Sequence, residues 1–188
     1  MKNKILLGLL VGSLAMSSAS ADMYVGVEYG VASNTDKIES SSGGSAEQDN
    51  AYSDLKLKIG GGEDGGIKAQ ISLSMITYDK TIFDYTNKDL AELGVDIIKE
   101  FEVTKDIYPF LKVGLGYGSM TVEGYAEDSI AEVSFNFGAG VSYKAMEHVY
   151  LIAGIDFIGR TWQDIQAVYT YSTTGSATKP YVGLNYQF

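Results

Sequence analysis

Pro180-Tyr181-Val182-Gly183-Leu184-Asn185-Tyr186-Gln187-Phe188 decides how the rest of the chain reads. Successive strand residues point to opposite faces. Val182, Leu184, Tyr186 and Phe188 therefore share one face, and Tyr181, Gly183, Asn185 and Gln187 share the other. An apolar face ending on aromatic rings, opposite small and polar residues, suits a strand between lipid and a polar interior. A soluble sandwich strand can alternate in the same way, but it has no reason to finish on an aromatic.

The other end of the chain agrees. Lys2 and Lys4 precede an apolar run from Ile5 to Ala15, followed by Ser17, Ser18 and Ala19-Ser20-Ala21. This is the pattern of a secretory signal peptide over residues 1–21, with cleavage expected between Ala21 and Asp22. The run falls short of the roughly 20 apolar residues a spanning helix needs, which disfavours a retained anchor. Residues 22–188 then form one domain's worth of chain.

Composition narrows the class. No cysteine is present, so an exported chain must find its stability without disulfides, and a closed sheet can supply it. The longest apolar stretch, Val149 to Ile155, is closed by Asp156 and cannot span as a helix. The net charge is −10, and removing Lys2 and Lys4 with an acid-free leader leaves −12. Such an acidic chain is not expected to bind nucleic acid, which needs clustered Lys and Arg.

Period-2 alternation recurs along the chain. Met23, Val25, Val27, Tyr29 and Val31 oppose Tyr24, Gly26, Glu28 and Gly30. Ser53, Leu55, Leu57 and Ile59 oppose Asp54, Lys56 and Lys58, and Ile67 to Met75 oppose Lys68, Gln70, Ser72 and Ser74. Pro109–Gly118 and Ala131–Tyr143 alternate as cleanly. Val149–Arg160 is less regular, because Ile152 and Ile158 would point inward. Leu90–Val103 is ambiguous: Glu92 and Asp96 alternate with Leu93 and Val95, yet Leu90, Leu93, Ile97 and Phe101 fit a helix. Single-chain bacterial barrels have even strand numbers, which favours a strand here.

The connections alternate long and short. Long ones run over Ala32–Asn50, Asp79–Asp89, Ser119–Ile130 and Thr161–Thr178, and short ones over Gly60–Gly66, Thr104–Tyr108 and Lys144–His148. That rhythm is expected of long extracellular loops and short periplasmic turns. The first long loop is rich in Ser, Gly and acids and is expected to be mobile.

Energy decides which face meets lipid. A Lys or Arg at the bilayer midplane costs about 2–4 kcal/mol. A one-residue slip would expose Lys56, Lys58, Lys68 and Lys112 together, a penalty on the scale of a whole domain's stability of about 5–15 kcal/mol. The expected interior network is therefore Glu28, Asp54, Lys56, Lys58, Lys68, Glu92, Asp96, Lys112, Glu132 and Asp156. Eight strands enclose only enough space for side chains to fill, so these charges must pair. A salt-bridged plug is the expectation, and a narrow ion path lined by the same residues is the rival.

The leader, the Pro109–Gly118 and Phe135–Tyr143 runs and the Pro180–Phe188 ending together resemble the OmpA/OmpX-like outer-membrane β-barrel family of Gram-negative bacteria. The ending also resembles that family's insertion signal, carried here by Val182, Leu184, Tyr186 and Phe188. The resemblance implies an all-β, eight-stranded antiparallel up-and-down transmembrane β-barrel, monomeric and integral to the outer membrane. It implies contact with membrane lipid and lipopolysaccharide, and with barrel-assembly machinery during insertion. Nothing follows Phe188, so a peptidoglycan-binding domain is not expected.

Catalysis needs a constellation that the chain lacks. Lipid A deacylases and palmitoyltransferases are similar small barrels that place His with Ser, or with Asp and Ser, near the outer leaflet. The sole histidine, His148, falls in an expected periplasmic turn, an apolar band of about 25 Å away. It reads as a solvated turn residue with no serine beside it, and an Asp/His protease fails for the same reason. Gly114-Leu115-Gly116-Tyr117-Gly118 alternates with bulky residues and lacks the helix a phosphate loop needs. Gly60–Gly66 reads as a hairpin rather than a calcium loop. No enzyme, cofactor or metal is expected. The expected function is a structural or surface-interaction role through acidic extracellular loops. A narrow passive pore is the alternative, and a soluble secreted β-sandwich is a third reading.

Overall fold

Alternating segments become strands because each can bury a polar face on one side and expose an apolar face on the other. The computed structural model describes residues 22–83, 86–123, 128–166 and 169–188, with the expected leader lying outside them. Ten strands follow in order: β1 (Met23–Ser40), β2 (Ser45–Asp49), β3 (Tyr52–Gly62), β4 (Ile67–Tyr78), β5 (Asp89–Glu100), β6 (Ile107–Thr121), β7 (Ser129–Met146), β8 (Val149–Trp162), β9 (Ile165–Gln166) and β10 (Thr170–Gln187). Eight of them close an antiparallel barrel, with β2 and β9 as short additions on its flanks. The ambiguous Leu90 segment is strand β5, its apolar residues outward and Glu92 and Asp96 inward.

Closure is made by β1 against β10, from Tyr24 opposite Gln187 to Ser40 opposite Tyr171. Following one row through the ladders from Asp36 passes Gly175, Arg160, Ser134, Gly116, Gly94, Ser72 and Lys58. It returns to β1 at Gly26, ten residues earlier than it began. That stagger is what tilts the strands of a closed sheet and sets its girth.

Two expected loops are largely strand. β1 continues to Ser40, turns through Gly43 at φ +95° and returns as β2, so most of Ala32–Asn50 is a hairpin. β10 begins at Thr170, well inside the expected Thr161–Thr178 loop. These extensions lack an apolar outer face because they stand above the belt that ends at Val31 and Pro180. Their backbones still pair, since an edge without partners costs hydrogen bonds.

Glycines set the thickness of the interior. Each of six inward acids lies directly opposite a glycine: Glu28 and Gly183, Asp54 and Gly30, Glu92 and Gly118, Asp96 and Gly114, Glu132 and Gly118, Asp156 and Gly138. Inward rings do the same, with Tyr24 opposite Gly60, Phe110 opposite Gly140 and Tyr181 opposite Gly154. A Cβ on Gly114 would collide with Asp96 Oδ1 and lie 2.8 Å from the Val95 carbonyl oxygen. Gly159 faces outward with nothing within 4 Å of such a Cβ. Gly114→Ala is therefore expected to lower stability by about 1–3 kcal/mol, as overpacking does. Gly159→Ala should stay within about 0.5 kcal/mol. Urea unfolding of the two variants refolded into lipid vesicles checks the contrast.

Candidate functional site

The lumen gathers buried charge, and the charges expected from the sequence all point into it. Glu28, Asp54, Lys56, Lys58, Lys68, Glu92, Asp96, Lys112, Glu132 and Asp156 are buried there. Their outward neighbours Val27, Leu55, Leu57, Leu93, Leu111, Val133 and Phe157 are exposed on the opposite face.

At the periplasmic end the β3–β4 turn folds Asp64 into the barrel. Lys68 pairs with Asp64 and Glu100 at 2.9 Å each, and the Tyr150 hydroxyl donates to Asp64 at 2.5 Å. Burial disfavours the charged form of Asp64, but the Tyr150 hydroxyl and the Lys68 ammonium outweigh it and hold its carboxyl below the usual carboxylate range. Lys68 also stands over the Tyr24 and Tyr150 rings at 6.0 and 5.4 Å. Inside this layer Ile98, Phe110, Ile152 and Tyr181 form a small apolar cluster, which accounts for one isoleucine that broke the alternation.

The middle layer is ion-paired. Lys58 meets Glu28 at 2.5 Å, and Lys112 meets Asp156 at 2.9 Å with both side chains 1% exposed. Lys179 pairs with Asp54, and lies 3.9 Å from Asp156. The Tyr24 hydroxyl donates to Gln70 at 2.9 Å, and Gln70 and Asn136 donate to Asp96 at 2.8 and 3.0 Å. Lys56 has no carboxylate within 4.0 Å among the described residues, and lies directly opposite Glu28 in the β1–β3 ladder. A cavity lined by Tyr24, Glu28, Lys58, Lys112 and Tyr181 holds about 20 Å³, room for one water.

Arg160 is the hub of the upper layer. It donates to the Tyr52 hydroxyl at 3.0 Å and to Glu92 at 3.3 Å, lies 3.9 Å from Glu132, and stacks 4.9 Å over the Tyr52 ring. Above and around it an apolar cluster closes the outer mouth, built from Tyr52, Ile76, Tyr78, Leu90, Met120, Ile130, Ile158 and Trp162. Ile82 and Phe83 pack onto it from the stretch after β4 and Ile165 from β9, with Phe83 edge-on to Trp162 at 5.0 Å. The plug is thus half salt bridge and half grease, where charge alone was expected.

Arg160, Lys179, Glu100, Asp36 and Asp64 belong to the interior but fell outside the expected network. Parity could have found two of them: Lys179 follows the inward series Gln187, Asn185, Gly183, Tyr181, and Arg160 follows Ile152 and Ile158. Asp36 lay in a segment read as loop. His148 is more than a solvated turn residue: its ring stacks on Tyr186 at 5.8 Å, and its Nδ1 lies 3.0 Å from the Gln187 carbonyl oxygen. It therefore braces the terminal strand, whose Tyr186 in turn meets Phe188 at 5.5 Å.

Removing a buried hub leaves its partners charged and unpaired. Arg160→Met is expected to cost about 3–5 kcal/mol, because Glu92 and Glu132 lose their shared cation. Adding Glu92→Gln and Glu132→Gln to it should restore most of that loss. Equilibrium unfolding of the single and triple variants in lipid vesicles measures both steps.

Known barrels share this architecture. Neisserial surface protein A has a TM-score of 0.59 at 18% identity, over 88% of this chain and 97% of that one. The outer membrane protein OprG of Pseudomonas aeruginosa gives 0.56 at 10% identity, over 90% and 96%. The N-terminal β-barrel domain of OprF from the same organism gives 0.53 at 13% identity, over 90% and 100%. No curated protein matches the sequence. A model of the outer membrane protein beta-barrel domain matches residues 5–188. With that match and a closed eight-stranded barrel in hand, the chain belongs to the outer membrane protein beta-barrel family.

Proposed function

We propose that this chain is a non-enzymatic barrel that works at the cell surface, as a structural and interaction module rather than a conduit. The observation that carries this reading is the lumen, filled by an ion-paired layer below and an apolar layer across the outer mouth. A filled lumen leaves function to what projects from the membrane. There β1 and β10 rise beyond the apolar belt, flanked by β2 and β9, as a four-stranded ribbon. Its exposed side chains include Lys37, Glu39, Glu47 and Asp49, and the neighbouring loop adds Asp79 and Lys80.

Acidic groups at that height would meet lipopolysaccharide through divalent cations, or a basic surface on a host or neighbouring molecule. Export by the leader, insertion through the assembly machinery and a monomeric state complete the reading. The lone histidine lies against the terminal strand, its Nδ1 3.0 Å from the Gln187 carbonyl oxygen, and that placement supports a non-catalytic role over a lipid-modifying enzyme.

Planar bilayer recording of the refolded protein tests the plug. Only brief, irregular openings are expected at up to 1 M salt. A steady conductance of uniform size would replace this reading with the narrow pore.

A further inference from the structure

The β1–β10 seam has one gap. Odd residues of β1 turn their backbone groups toward β10, as Met23 does in accepting from the Phe188 N–H. Even positions turn toward β3, as Asp22 does in accepting from the Gly62 N–H. Val31 is odd, and the residue due opposite it is Pro180, which has no N–H to give. The ladder accordingly passes from Gly30–Tyr181 straight to Ser33–Thr178. Proline is rare inside a ladder, and here it leaves the Val31 carbonyl oxygen without a donor across the seam, at the top of the apolar belt.

Above the gap the outer surface turns from apolar to hydroxyl. Ser33 opposes Thr178 and Thr35 opposes Ser176 across the same seam, all four on the outward face. The Thr35 hydroxyl donates to Asp49 Oδ1 at 2.8 Å, while those of Ser33, Ser176 and Thr178 have no partner among the described residues. With Asp49 and Lys80 on the β2 side they line an open notch of about 640 Å³. That wall is fixed in place. Asn50 donates to the Lys80 carbonyl oxygen and accepts from the Lys80 N–H, and Lys80 Nζ donates to the Asp49 carbonyl oxygen, all at 2.8 Å. The ammonium keeps protons to donate and the Asp49 carboxylate keeps an oxygen to accept.

Below the gap lies an apolar trough of about 570 Å³. Its axis is the paired row of Tyr29, Val182, Ala153 and Val141, in which the small Ala153 leaves a dip. Rows followed in this direction return to β1 ten residues nearer its periplasmic start. The trough therefore descends through the bilayer as it crosses β10, β8 and β7.

A polar notch above an apolar trough has the outline of a lipid, and the lining selects the headgroup. Spread hydroxyls, a carboxylate oxygen and an ammonium offer donors and acceptors at many points, which a polyol can meet and a lone phosphate ester cannot. The notch also falls in the size range that encloses a molecule larger than a simple phosphate ester. We infer that the β1–β10 seam binds one outer-leaflet lipid with a sugar headgroup, its hydroxyls in the notch around Ser33 and Thr178 and one acyl chain in the trough over Ala153. A sugar hydroxyl at the foot of the notch supplies the donor that Pro180 lacks. The inference deepens the surface reading by giving it a membrane partner, and the two fail separately, since steady conductance rejects the plug and lost lipid retention rejects the site.

The test refolds the full chain into vesicles equimolar in phosphatidylethanolamine, phosphatidylglycerol and lipid A, releases it in mild detergent and weighs it by native mass spectrometry. One lipid A per barrel is expected, retained at least tenfold above either phospholipid. Thr178→Leu and Ala153→Phe change outward side chains only, and each should cut that retention at least tenfold with the folded electrophoretic mobility unchanged. If one of them does not fold, the other decides. Ala91→Phe, on the outer face of β5 away from the seam, should retain lipid A as the wild type does. Absence of retained lipid A, retention of a phospholipid on a par with it, undiminished retention in a folded Thr178 or Ala153 variant, or an equal loss in Ala91→Phe would overturn the proposal.

Discussion

Everything in this molecule rests on the backbone pairing of the first barrel strand with the last. Hydrocarbon offers no partner for an N–H or C=O, so a sheet that crosses it must have no edge. The β1–β10 ladder removes the edge, and the stagger of ten residues around the ring then fixes which side chains share a level inside. The terminal residues secure this seam. The Phe188 N–H donates to the Met23 carbonyl oxygen and the Gln187 N–H to that of His148, both at 2.8 Å, while the His148 ring supports Tyr186. The aromatic ending is therefore both a lipid-facing surface and the clamp on the last strand.

Closure forces the second constraint, which is what to do with an interior too narrow to be a channel and too polar to be a core. The answer is a pairing of acids with glycines. A carboxylate directly opposite a glycine can lie across the neighbouring strand and reach a lysine on the strand beyond it, as Asp156 of β8 does over Gly138 of β7 to reach Lys112 of β6. Opposite any larger residue the same carboxylate would be pushed upright. In low dielectric such pairs are strong once made and costly when broken, which gives the barrel specificity of register more than surplus stability. The apolar layer around Trp162 then closes the outer mouth with contacts that need no partner.

Much of this was legible in residue order, for physical reasons. Alternation with period 2 is a direct image of strand geometry, so the inward faces of Lys56, Lys68, Lys112 and Glu132 could be read without coordinates. The cost of lysine in lipid chose the direction. Legibility stopped where one face carries no signal. The extensions of β1 and β10 are polar on both sides, so Asp36 and the ribbon read as loop. Tyr52, Leu90, Met120 and Trp162 lie just beyond the lipid belt, where an inward apolar residue looks like part of a connection. Ile152 and Ile158 broke the alternation because the interior has apolar layers at two heights. The acid–glycine pairs needed the register, which no single strand contains.

The seam itself can be probed chemically, because the chain has no cysteine of its own. Tyr29 and Val182 face each other across it on the outer surface. Directly opposed residues of an antiparallel pair have Cα atoms about 4.5–5.5 Å apart, within the range a disulfide spans. In a Tyr29→Cys, Val182→Cys variant refolded into lipid, mild oxidation should link the two positions in nearly every molecule that runs as folded on unheated gels. No linkage in that band, or equal linkage of Tyr29→Cys with Leu184→Cys one pleat away, would contradict a barrel closed in this register.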